Sequence, residues 1–124
     1  MSRDVWELDV FRRAYALSLV LHRISLGWPK IEQHGGLADQ LRRSSRSVCA
    51  LLAEGAGRQA TSDAEFRRYV SMALGSAEES RLWCRYAEDF GYVLSGEVTA
   101  WQSELVAIAR MLGGLLKRLS SSND

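Results

Sequence analysis

The side chains able to do chemistry are scattered along this chain instead of gathered into a set. His22 and His34 stand apart, and neither has a cysteine or acid at zinc-finger or H-E-x-x-H spacing, so both read as surface histidines with no metal. Ser44, Ser45, Ser47 and Ser76 lack the G-x-S-x-G elbow of an activated serine and read as small packing or surface residues. Gly55, Gly57 and Ala60 fit a G-x-G-x-x-A spacing. The dinucleotide motif needs a strand before it, and here a helical pattern precedes it. Glu78 and Glu79 are adjacent, so on a helix they point about 100° apart and cannot form a carboxylate dyad. No catalytic residue, metal or cofactor is assigned, and the chain is expected to be non-enzymatic.

Arginine is what remains. Of sixteen basic residues only Lys30 and Lys117 are lysine, a bias toward planar, bidentate contacts with carboxylate or phosphate. Arg42, Arg43 and Arg46, with Arg58, Arg67 and Arg68 toward the next helix, form the nucleic-acid-binding set to be tested. In one copy they make a weak patch, and repetition around an oligomer adds phosphate contacts in a salt-dependent way. The competing reading is that they hold acids such as Glu54 and Glu78. Glu54 sits near a helix C-terminus, where the dipole disfavours an anion, and Arg58 is its expected ion-pair partner.

Positioning these groups falls to four helical patterns. Val10, Ala14, Leu17, Leu21 and Ile24 mark a seam in a first helix at about 5–26, begun at Asp4 or Asp9 and closed by Gly27 and Pro29. Leu37, Leu41, Ser44, Val48 and Leu51 mark a second at 37–55, with Gly55 as its C-terminal cap. Ser62 and Glu65 have capping-box spacing ahead of a third at 63–91, whose seam runs Phe66, Val70, Ala73, Ala77, Ser80, Cys84, Ala87 and Gly91. Val98, Trp101, Leu105, Ile108, Leu112, Leu115 and Leu119 define the fourth, at 96–119 and capped by Ser95. Residues 120–124 are expected to be a disordered tail. The connector at 27–36 should fold Trp28 back onto the bundle end. Short links and no alternating strand segments predict a single all-α domain, an up-down-up-down four-helix bundle over 1–124.

Composition sets the outer limits. The 124 residues are 47% apolar and 25% charged, enough for a core without staples. A formal charge of +1 supplies no overall field for nucleic acid or membrane. Cys49 and Cys84 lie on apolar seams and read as free, buried thiols of a reducing compartment. With acids inside the first apolar stretch and no run of about 18 apolar residues, the expectation is a soluble, cytoplasmic protein with no membrane partner.

The third helix carries more apolar surface than one core needs. Beside its seam runs a second line through Tyr69, Met72, Trp83, Tyr86 and Phe90, and Gly75 costs roughly 1 kcal/mol in mid-helix unless a neighbour passes over it. Tyr69, Met72, Gly75, Trp83 and Tyr86 are therefore the expected interface of a homo-oligomer.

Trp28-Pro29, Glu32, Leu37, Gln40-Leu41-Arg42-Arg43, Ser47-Val48, Ala53-Glu54-Gly55, Arg58, Phe66 and Ala73-Leu74-Gly75-Ser76-Ala77-Glu78 together resemble a bacterial family. Its members are four-helix bundle proteins noticed as reading frames inside intervening sequences of 23S ribosomal RNA, the intervening-sequence proteins. The likeness spans roughly residues 8–119. Where the family has Pro-Ser-Asn before Ile-Ala-Glu-Gly, this chain has Cys49-Ala50-Leu51, so a role carried by that asparagine is absent. The resemblance implies a homopentameric ring of undefined cellular role. It also implies a fold shared with the accessory protein of diversity-generating retroelements, a basic barrel that binds nucleic acid beside a reverse transcriptase. RNA or DNA, and a nucleic-acid-processing protein, are accordingly the partners it implies; a protein-interaction scaffold without nucleic acid is the alternative.

Overall fold

A computed structural model describes residues 4–122 and holds four long helices, with no strand among the described residues. Helix α1 spans Asp9–Ser25, α2 Leu37–Arg58, α3 Asp63–Asp89 and α4 Ser95–Ser122. Short 3-10 turns at Val5–Glu7 and Lys30–Glu32 precede α1 and α2. Both expected starts of the first helix are used. Asp4 caps the 3-10 turn through the Trp6 amide, Leu8 is extended, and the α-helix proper begins at Asp9.

The helices pack in chain order around a square, α1 on α2, α2 on α3, α3 on α4, with a lighter α4–α1 contact closing it. Each seam fills the centre. Phe66, Val70, Ala73, Ala77, Cys84 and Ala87 of α3 are fully covered, and all seven α4 seam residues are buried. Burial holds both thiols in the protonated form, pushing Cys49 up to about 11 and Cys84 to about 12.

Where the chain departs from its predicted boundaries, packing decides. Gly55 is not a cap: α2 continues to Arg58, and a Cβ at Gly55 would lie 2.7 Å from Tyr69 Cβ and 3.1 Å from a Phe66 ring carbon. The glycine is what lets α3 lie that close. Serines continue the same tight seam, with Ser44 and Ser80 sharing a 2.8 Å hydrogen bond and Ser76 donating to Ser47 at 3.1 Å. Gly91 is the cap of α3, not part of its seam. It is left-handed at φ +78°, with the Gly91 and Tyr92 amides donating to the Glu88 and Ala87 carbonyls. Ser95 lies inside the first turn of α4, whose first carbonyl acceptor is Leu94. At the other end α4 runs to Ser122, where Arg67 of α3 donates to Ser120, so residues 120–122 are helical instead of a loose tail; 123–124 lie outside the described residues.

The connector is locked by polar contacts. Glu32 accepts from the Leu37 amide at 2.8 Å and from the Tyr92 hydroxyl at 2.7 Å, so it caps α2 and ties it to the α3–α4 loop. Those two donors hold its carboxyl below the ordinary range. Trp28 does fold back, 6% exposed and 5.8 Å from the Tyr92 ring.

Candidate functional site

The six arginines do not form one patch. Arg42 is 8% exposed and turned inward, donating to Ser25 Oγ at 2.9 Å and to Gln33 Oε1 at 3.1 Å, so it holds the connector and cannot reach a phosphate. Arg43 faces solvent but is paired with Asp39 at 3.1 Å. About twenty ångströms further along α2, by helix rise, a second group begins. There Arg58 meets Glu54 at 3.7 Å, the ion pair read from the sequence, with both side chains half exposed. Arg68 pairs with Glu65, and the Arg58 and Arg68 guanidiniums lie over the Tyr69 ring at 5.5 and 4.8 Å. Arg67 points elsewhere, to α4.

Arg46 differs from the rest. Among the described residues it has no hydrogen-bond or ion-pair partner, and it stands exposed at the edge of a groove of about 310 Å³ between α1 and α2. Tyr15, Leu19, His22 and Cys49 line that groove, and Trp6 packs edge-on against Tyr15 at 5.0 Å.

A second groove, about 550 Å³, opens between α2 and α3, where Leu37, Gln40, Trp83, Tyr86 and Phe90 meet the connector at Gly35 and Gly36. Its rings form a continuous row, with Trp83 5.9 Å from Tyr86 and Tyr86 5.7 Å from Phe90. Glu32 stands at its connector end, and one turn before Trp83 on α3 Glu79 accepts from the Trp83 indole at 3.1 Å. Of the expected interface residues, Met72 at 42% and Tyr86 at 45% exposure stay open, as does Phe90 at 54%, while Trp83 is half-buried. Tyr69 is a correction. At 7% exposure it is covered within the chain, under the two arginines and against Gly55. A Cβ at Gly75 would meet no atom within 4 Å, so nothing in its own chain passes over it.

The two sides that flank α4 are charged. Arg13 of α1 holds Glu104 through two hydrogen bonds of 2.6 and 2.9 Å, which raise the guanidinium's pKa and lower the carboxyl's. On the α3–α4 side Arg81 donates to Gln102 and Glu78, and Arg85 to Asp89. Among the described residues no group of three or more His, Cys, Asp or Glu side chains is placed to hold a metal, and no helix is long and apolar enough to cross a membrane.

The sequence pointed to the α3 line through its aromatic spacing. It missed the α1–α2 groove, whose signal was Tyr15 and Leu19 lying off the first seam.

Comparison with known proteins agrees with this architecture. The family model described as 23S rRNA-intervening sequence protein matches residues 6–114. No curated protein matches the chain. Among solved structures, a protein of unknown function from the S23 ribosomal protein family of Bacteroides thetaiotaomicron superposes with a TM-score of 0.77 at 19% identity, covering 87% of this chain and 98% of its own. That likeness speaks for the fold. With the model match running over most of its length, the chain belongs to the 23S rRNA-intervening sequence protein family.

Proposed function

We propose that this chain is a non-enzymatic, self-associating four-helix bundle that closes into a ring of copies and works in the cytoplasm as an interaction scaffold. One observation carries the reading: two exposed apolar grooves occupy the two adjacent sides of the bundle that meet at α2. Apolar faces of this kind favour burial against a partner. Because the grooves differ, copies associate head to tail, and a head-to-tail contact generates a ring when its rotation closes. Adjacent sides of a square bundle stand at roughly 90°, which turns successive copies enough to close at about four or five. The homopentamer implied by the family resemblance falls in that range. Light scattering on the purified chain tests it, with a stable assembly of several copies as the expected outcome and a monomer as the refutation.

RNA or DNA binding is the second reading, and a nucleic-acid-processing partner belongs with it. Arg58 and Arg68 support it, since both lie half exposed over one tyrosine ring and a ring assembly would repeat them. Against it stand their own carboxylate partners. Titration with generic RNA at two salt concentrations, wild type against Arg58→Ala/Arg68→Ala, separates the cases: salt-sensitive binding lost in the variant supports it, and no binding at low salt removes it.

A further inference from the structure

We infer that the α1–α2 and α2–α3 sides of the bundle are complementary halves of one contact, in which Arg46 of one copy meets Glu79 and the Trp83 ring of the next; this rests on the assembly proposed above. Complementarity of charge is the first ground. Among the described residues Arg46 lacks a partner, whereas Glu79 accepts an indole N–H and has no cation beside it. A guanidinium set against an aromatic ring and a carboxylate satisfies both groups at once.

Height along the bundle is the second ground. Arg46 lies between Ser44 and Ser47 on α2, and Glu79 between Ser76 and Ser80 on α3. The Ser44–Ser80 and Ser47–Ser76 hydrogen bonds set the register across the seam, which brings Arg46 and Glu79 within about 3 Å of the same height. A ring is generated by rotation without rise, so each contact must pair groups at one height; a filament would need an offset. The Arg42–Ser25 contact sets α1 on the same scale. Stepping from it along antiparallel helices at about 1.5 Å per residue brings Leu19 level with Gly75. Leu19 is exposed, and the space beside Gly75 is open. The projecting side chain on the α1–α2 side thus stands at the height of the open space beside Gly75 of α3. With these sides buried, α2 becomes the inward corner of the ring.

Charge reversal with rescue tests the pairing. Sedimentation is measured for wild type, Arg46→Glu, Glu79→Arg, the double reversal, and an equimolar mixture of the two single variants carrying different tags. Each single reversal sets like charges together and should raise the concentration for half-assembly by about tenfold or more. The double reversal should regain full assembly; the mixture should regain complexes containing both tags, closing fully only in a ring of even number, because alternation leaves one like-charge contact in a ring of five. Singles that assemble as wild type does, or a loss that neither the double reversal nor the mixture repairs, would overturn the pairing. A wild type that is itself monomeric would instead overturn the assembly on which the pairing rests.

Discussion

The sides of the bundle that meet at α2 and those that meet at α4 are built from the same four helices, yet they end in opposite chemistry. Around α4 each groove is bridged by its own chain: Arg13 to Glu104 on one side, Arg81 to Gln102 on the other. Around α2 the corresponding sides offer Tyr15, Leu19, Tyr86 and Phe90 to solvent beside a half-buried Trp83, with Arg46 and Glu79 lacking charge partners among the described residues. Charge closed within the chain marks a surface that is finished as it stands, whereas unpaired charge beside exposed rings marks one that is completed from outside.

Breaking that contrast should have its largest effect on assembly. Tyr86→Glu/Phe90→Glu places two carboxylates in the α2–α3 groove and should abolish the oligomer in sedimentation, leaving helicity unchanged by circular dichroism. Gln102→Ala, on the α4 side, should leave the mass as it was. Next comes Arg42→Ala, which strands the Ser25 and Gln33 acceptors inside the fold and should cost about 2–3 kcal/mol in denaturant unfolding. A comparable or smaller loss, about 1–3 kcal/mol, is expected for Gly55→Ala, because its new methyl meets Tyr69 and Phe66.

The smallest effect sharpens the contrast from the α4 side. Glu104→Gln should cost only about 0.5 kcal/mol, since Arg13 and Glu104 are both partly exposed and screened. The folded carboxyl is lowered from 4.5, first by the Arg13 hydrogen bond, so its contribution is full above that value and fades as pH falls through the folded one. Denaturant midpoints taken on both sides of pH 4.5 should show the wild-type advantage over Glu104→Gln shrinking in acid.

Periodicity made the helices legible, because a buried seam repeats at 3-4 spacing whatever its partner; the α4 seam is buried from Val98 to Leu119 as read. The close approach at Gly55 was not legible. Gly55 followed by Gly57 has the composition of a helix end, and only the nearness of Tyr69 and Phe66 shows why a glycine is needed inside the helix. Nor did adjacency separate the arginines. Arg42 and Arg43 differ by about 100° around α2, enough to send one to the connector and the other to solvent. Tyr69 fell on the exposed aromatic line by spacing, and Arg58 and Arg68 from two different helices cover it. Complementarity between Arg46 and Glu79 depends on the height at which α2 and α3 lock together, which no single-chain spacing encodes.

The most direct measurement of the central claim is the solution mass of the wild-type chain by light scattering coupled to size exclusion, across micromolar concentrations. A discrete assembly of several copies, of about four or five if the ring closes as the side geometry implies, is the predicted result. A single species of 13.9 kDa, with the α2-flanking grooves open to water, would contradict it.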